Sequence, residues 1–168
     1  MPPKKNLPAQ SALARVPRQI EAWRTPDWQR LWLSSQLETR PWRTMALVPA
    51  GPGASPETLL QIAVTLAHTG MTHLGVPVQV ADATRLTLEQ MTQFLEELEY
   101  YERQGAMVLL VLAALSDNVT STSLAQSADC ALLCVLLREM RVADAKKTIE
   151  RVGKSRFIGS AVFRGSPA

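Results

Sequence analysis

The stretch TMALVPAGPGASPETLLQIAVTLAH, residues 44–68, changes its pattern twice. Residues 44–48 form a short apolar segment, 49–56 a run rich in Pro and Gly, and 57–68 carry Leu59, Leu60, Ile62, Ala63, Leu66 and Ala67 at helical spacing. That sequence of signals reads as strand, loop and helix, and it repeats downstream. VPVQVAD (76–82) predicts a strand, and 87–103 a helix with Leu88, Met91, Leu95, Leu98 and Tyr101 inward. AMVLLVLAAL (106–115) predicts a strand buried on both faces. A short helix at 121–127, a strand at CALLCVLL (130–137), a helix at 142–152 and a last strand at 157–163 complete the series. Upstream, Thr25-Pro26-Asp27 is a helix start followed by Trp28, Leu31, Trp32 and Leu37 at near-helical spacing, giving a first helix to about residue 38. Strands alternating with helices predict right-handed crossovers and a three-layer α/β domain with a mainly parallel sheet. In such sheets a ligand sits at the carboxyl ends of the strands, which points to the loops at 49–58, 81–86, 112–120 and 136–141.

Composition sets the outer limits. The chain has 168 residues, 46% hydrophobic and 20% charged, which excludes collagen-like, disulfide-framework and wholly disordered classes. Its longest apolar run, ten residues at 106–115, is half of the roughly 20 that a membrane-spanning helix needs. MPPKKNLPAQ at the start has no apolar region behind it, so a cytoplasmic location is expected. Cys130 and Cys134 lie in an apolar strand and read as reduced core residues, while His68 and His73 have no ligand partners at metal spacing. Residues 1–43 hold eight Lys and Arg against three acids, so the basic character belongs to the head of the chain. The expected organisation is a basic segment 1–24, one domain 25–165 and a short tail 166–168.

The loop AGPGASPET stands where a phosphate-binding loop would cradle a nucleotide with backbone N–H groups and a helix N-terminus. The phosphate pattern G-x-x-x-x-G-K-[ST] needs a lysine for the terminal phosphates and a hydroxyl for Mg²⁺, and this loop contains no lysine. Pro56 removes an N–H and Glu57 adds a negative charge, whereas Ser55 as N-cap, Pro56 at the first turn and Glu57 behind it are good helix-starting residues. A helix start without nucleotide and a site with residual ligand binding are the two readings.

The order of segments over residues 25–165 resembles the cytoplasmic P-loop domain of bacterial tyrosine kinases (CpsD/CapB-like) and their MinD/ParA-like relatives, and implies a three-layer α/β/α P-loop NTPase-like fold. In that family a helix with an E-x-x-R-x-x-R pattern precedes the first strand, where this chain has Asp27, Arg30 and Leu33. The family's A-x-P-G-E-G-K-S-T lies over Ala50 to Thr58 without a gap. Gly53 and Thr58 match, while Ser55, Pro56 and Glu57 replace glycine, lysine and serine. The aspartate strand V-D-A-D-x-R resembles Val80-Ala81-Asp82-Ala83-Thr84-Arg85, of which Asp82 remains. The strand that should end I-D-x-P-P corresponds to 109–115, where the aspartate and prolines are missing. SLAQSADCALLCVLLREMRVADAKKTIERVGKSRFIGSAVFRG (123–165) is similar to the family's C-terminal framework, and the terminal tyrosine cluster is missing.

The resemblance, less these motif residues, implies an inactive P-loop-like scaffold or regulatory protein. It would bind a protein partner or a second copy of itself, in polysaccharide export or polar organisation of the cell, recruited to the inner membrane face by that partner. Neither cofactor nor metal is expected. The residual loop positions are Gly53, Ser55, Thr58 and Asp82, and the alternative is an ATP/Mg-binding switch that uses them. The resemblance puts the first helix at a subunit contact, with Trp28, Arg30 and Trp32 as its residues, although core packing accounts equally well for the two tryptophans. A third reading, a DNA-associated relative of partition ATPases, rests on the basic 1–43 segment alone. Asp117 with Ser116, Thr120, Ser121 and Thr122 reads as turn and cap chemistry, and the charges of the acidic helix (Glu96, Glu97, Glu99, Glu102) and the basic one read as solvated faces.

Overall fold

The structure, a computed structural model, describes residues 25–37, 41–75 and 77–164. The expectations for 1–24, 38–40, Val76 and 165–168, and for the side chain of His73, lie outside them. Ten elements follow in order: α1 Thr25–Gln36, β1 Thr44–Pro49, α2 Pro56–Leu74, β2 Val78–Asp82, α3 Leu88–Arg103, β3 Met107–Val111, α4 Thr120–Ser127, β4 Cys130–Leu136, α5 Val142–Val152 and, after a 3₁₀ turn at Lys154–Arg156, β5 Phe157–Phe163. The five strands form one sheet in the order β2-β3-β1-β4-β5, every pair parallel. The expected α/β class with a parallel sheet between helices is what the chain adopts.

Two apolar clusters separate the layers. Trp28, Trp32, Leu59, Ile62 and Leu66 of α1 and α2 pack on one face. Phe94, Leu98, Leu124, Ala125 and Val152 of α3, α4 and α5 pack on the other. The strand order dictates this: β1 to β2 runs toward one edge and the later connections run back across, so a common crossover hand sends α2 to the opposite face from the rest. Strand residues alternate between the clusters, with Met45 and Leu47 in the first and Ala46 and Val48 in the second.

Two boundaries and the burial of three apolar residues differ from the sequence reading. α2 continues past His68 to Leu74 and ends at Gly75, in the left-handed conformation (φ 66°), whose N–H donates to the Met71 carbonyl at 3.0 Å. Gly70 lies inside that helix because Trp32 occupies the space of its side chain: a Cβ there would stand 2.5 Å from the indole ring. The apolar run at 106–115 is longer than its strand. β3 ends at Val111, and Leu112, Ala114 and Leu115 bury themselves in the following loop. Leu37 and Leu88, assigned to apolar helix faces by spacing, are exposed at helix ends, as is Val142 at the start of α5.

Candidate functional site

β1 is the strand from which the chain leaves toward α2, while its neighbours β3 and β4 send their chains to α4 and α5 on the other face. The carboxyl end of β1 is therefore the topological switch point, where an open α/β sheet forms its ligand crevice. Here that crevice is closed on the β4 side. The Ala50 N–H donates to the Cys134 carbonyl at 2.9 Å, and the buried Thr148 hydroxyl of α5 donates to the Ala50 carbonyl at 2.9 Å. Gly51 is buried against Asp144: a Cβ at Gly51 would stand 2.9 Å from the Asp144 Cβ and 3.5 Å from its Oδ2. Gly53 (φ 115°) takes a conformation that side-chain-bearing residues rarely adopt, and a Cβ there would stand 3.2 Å from the Glu139 carbonyl oxygen. Both glycines let the loop lie flat on the β4–α5 connection.

Ser55 caps α2. Its Oγ accepts from the Thr58 N–H at 3.2 Å and lies 2.9 Å from the Thr58 hydroxyl, with Pro56 at the first turn and Glu57 exposed behind it. Of the four loop-type residues singled out in the sequence, Gly53, Ser55 and Thr58 are thus together, in a helix cap and its lead-in. Asp82 is apart from them. It ends the edge strand β2, and with β3 in between, about 9–10 Å of sheet separates it from β1. Its Oδ1 accepts from the Thr84 N–H at 3.0 Å and the Thr84 hydroxyl at 2.6 Å, a local turn. The polar loop after β3 ties into the same turn region. Asn118 Nδ2 donates to the Thr84 and Leu86 carbonyls, and the Thr120 hydroxyl lies 2.8 Å from Asn118 Oδ1.

The tryptophans assigned to an interface are core residues. Trp28 packs on Phe163 (centroids 5.8 Å apart), Trp32 meets Trp42 edge-on at 5.8 Å, and both are buried. Trp42 Nε1 donates to the Ser35 carbonyl at 3.0 Å, fastening the end of α1 to the entry of β1. What α1 presents outward is Asp27 and Arg30, paired at 3.5 Å, together with Leu33 (50% exposed) and Leu37 (83% exposed). Only Arg30 of the three interface residues lies on the open side.

Sequence reasoning missed Asp144, Glu139 and Thr148 as partners of the loop. Asp144 reads locally as a helix-start acid, and nothing short-range marks its contact with a glycine 93 positions earlier. Cys134 is buried and free, and desolvation pushes its thiol from 9.0 up to about 12, so it stays protonated. Among the described residues no group of three or more His, Cys, Asp or Glu is placed to hold a metal ion, and no helix is long and apolar enough to cross a membrane. The chain matches no protein-family model, no curated protein and no solved structure.

Proposed function

We propose that the chain is a nucleotide-free relative of the P-loop NTPases, of the bacterial tyrosine kinase and MinD/ParA-like kind, that works by binding a protein partner rather than by catalysis. The observation that carries this is Asp144 seated on Gly51, at the place where a P-loop would take phosphate. A like charge 4 Å from a phosphate oxygen costs about 4 kcal/mol at an effective dielectric of about 20. The missing lysine forfeits a further charge-assisted contact of about 1.5–3 kcal/mol, and Pro56 has no N–H to offer. Every such term opposes an anion, and none is offset by a cation in the loop.

The outward face of α1 is the contact surface we assign to this function. Arg30 and Asp27 are its exposed ion pair, and Leu33 and Leu37, four apart, form a short apolar ridge beside them. The partner would be a second copy or a component of a polysaccharide-export or polar-organising assembly, holding the chain at the inner membrane face.

Thermal unfolding with and without millimolar Mg-ATP and Mg-ADP tests the first half. A ligand at 100 times its dissociation constant adds about 2.7 kcal/mol, a rise of several degrees. The expected result is no rise; a clear one would make the chain a nucleotide switch acting through Gly53, Ser55, Thr58 and Asp82. For the second half, Arg30→Glu combined with Leu33→Asp should abolish association while leaving the midpoint in place, and association at wild-type level would remove α1 as the contact.

A further inference from the structure

We propose that the outer edge of β5 is a docking strand for an extended segment of a protein partner, apolar at alternate positions and acidic at both ends. Among the described residues β5 pairs with β4 alone. The Phe163 carbonyl accepts from the Leu137 N–H at 2.9 Å, so by the alternation of the ladder the N–H and C=O groups of Ser160 and Val162 face away from the sheet. The register passes from Ala131↔Phe157 to Leu132↔Gly159, leaving Ile158 as a bulge that blunts the first part of the edge. Residues 159–163 are the open run. Edges are ordinarily guarded by charge or proline, and β2 at the opposite edge follows Pro77 and closes on Asp82; FIGSAVF has neither. Beside the open backbone, Val162 (59% exposed) stands next to Val135 in register, with Leu137 (45% exposed) two residues on along the same face. A strand laid there gains backbone pairing and contact for alternate apolar side chains.

Charge selects the occupant. Lys154 and Arg156 precede the strand. Arg164 follows it, beside the turn that carries Arg138 and Arg141 against one acid, Glu139. Both ends of the edge are cationic. The chain's own segment 1–24 has five Lys and Arg against one Glu, and a second copy paired antiparallel would set Arg164 of one toward Lys154 and Arg156 of the other. Acidic flanks complement the rim; these two occupants repeat its sign.

The proposal rests on the reading that the chain acts by binding a protein. The probe is a synthetic peptide alternating valine and threonine, with a Glu-Glu pair at each end, titrated into the full chain and followed by amide exchange. We expect saturable one-to-one binding, slowed exchange at the Ser160 and Val162 amides, and binding about tenfold weaker when lysines replace the glutamates. Val162→Pro removes an outward donor but no bond to β4, and should abolish binding with the fold retained. Arg164→Glu, which leaves the backbone intact, should weaken it severalfold. No binding, equal binding of both peptides, or unchanged exchange at Ser160 and Val162 would overturn the proposal. So would a dimer lost on Val162→Pro, which gives the edge to a second copy, or protection already present in the free monomer, which gives it to residues 1–24. These failures leave the α1 contact standing, whereas loss of that contact leaves the peptide result untouched.

Discussion

The carboxyl end of β1 and the outer margin of the molecule, the β5 edge with the open face of α1, are packed in opposite ways. The first is where the topology puts a ligand, and it is packed shut by Thr148, Asp144 and the Glu139 backbone. The second is away from that crevice, and it exposes Arg30, Leu33, Leu37, Val162 and, among the described residues, one open edge of β5. The contrast teaches that the strand order sets where the switch point lies, whereas side chains from a distant helix set whether it stays open. Filling the crevice joins β1 to α5, and the exposed apolar residues are left at the periphery.

The largest effect belongs to the buried side. Trp32→Ala should cost about 3–5 kcal/mol and lower the midpoint by on the order of 10 °C, since the ring fills the notch at Gly70 and meets Trp42. Gly70→Ala should cost about 1–3 kcal/mol by overpacking the same spot, and much less in the Trp32→Ala background; additive losses in urea unfolding would contradict the notch. Thr148→Val leaves the Ala50 carbonyl without its hydroxyl partner. It should cost about 1–3 kcal/mol, and a neutral result would mean that the crevice is held shut by something other than this bond.

Cys134 gives a smaller, pH-dependent effect on the same side. Its folded value of about 12 stands above the unfolded 9.0, so the folded state keeps the proton that the unfolded state releases. The contribution is complete below pH 9.0 and is lost as pH rises toward about 12, about 1 kcal/mol of it by pH 10. Cys134→Val should remove that slope between pH 8 and 10; an unchanged slope would place the pH dependence on another group. The smallest change in stability is at the margin. Leu33→Asp and Leu37→Asp should each shift unfolding by no more than about 0.5 kcal/mol while reducing association, and a loss of several kcal/mol would show that the margin is part of the core.

The element series was legible because it depends on local pattern. Val78, Val80 and Ala81 sit among turn residues, and the apolar residues of α2 repeat at helical spacing, so each announces its own type. Ser55, Pro56 and Glu57 announced a helix start, and the structure has one there. Boundaries were less legible where a distant residue overruled the local signal. Gly70 looks like a helix stop until Trp32 is placed against it, and 106–115 looks like one strand until Leu112 and Leu115 are seen to fill the core beyond the sheet. The two tryptophans of α1 carried the ambiguity of all large aromatics, which serve cores and interfaces alike. Which side of the helix faced the sheet settled it.

Residue types and their spacing determined the α/β class, the strand-loop-helix units and a β1–α2 loop that contains no lysine, because each is a property of neighbours in the chain. The tertiary structure alone decided that Asp144 lies on Gly51, that Thr148 bonds Ala50 and that, among the described residues, β5 is left as an edge. Those contacts join residues about a hundred positions apart, or depend on the order of strands across the sheet, and short-range spacing carries no record of either.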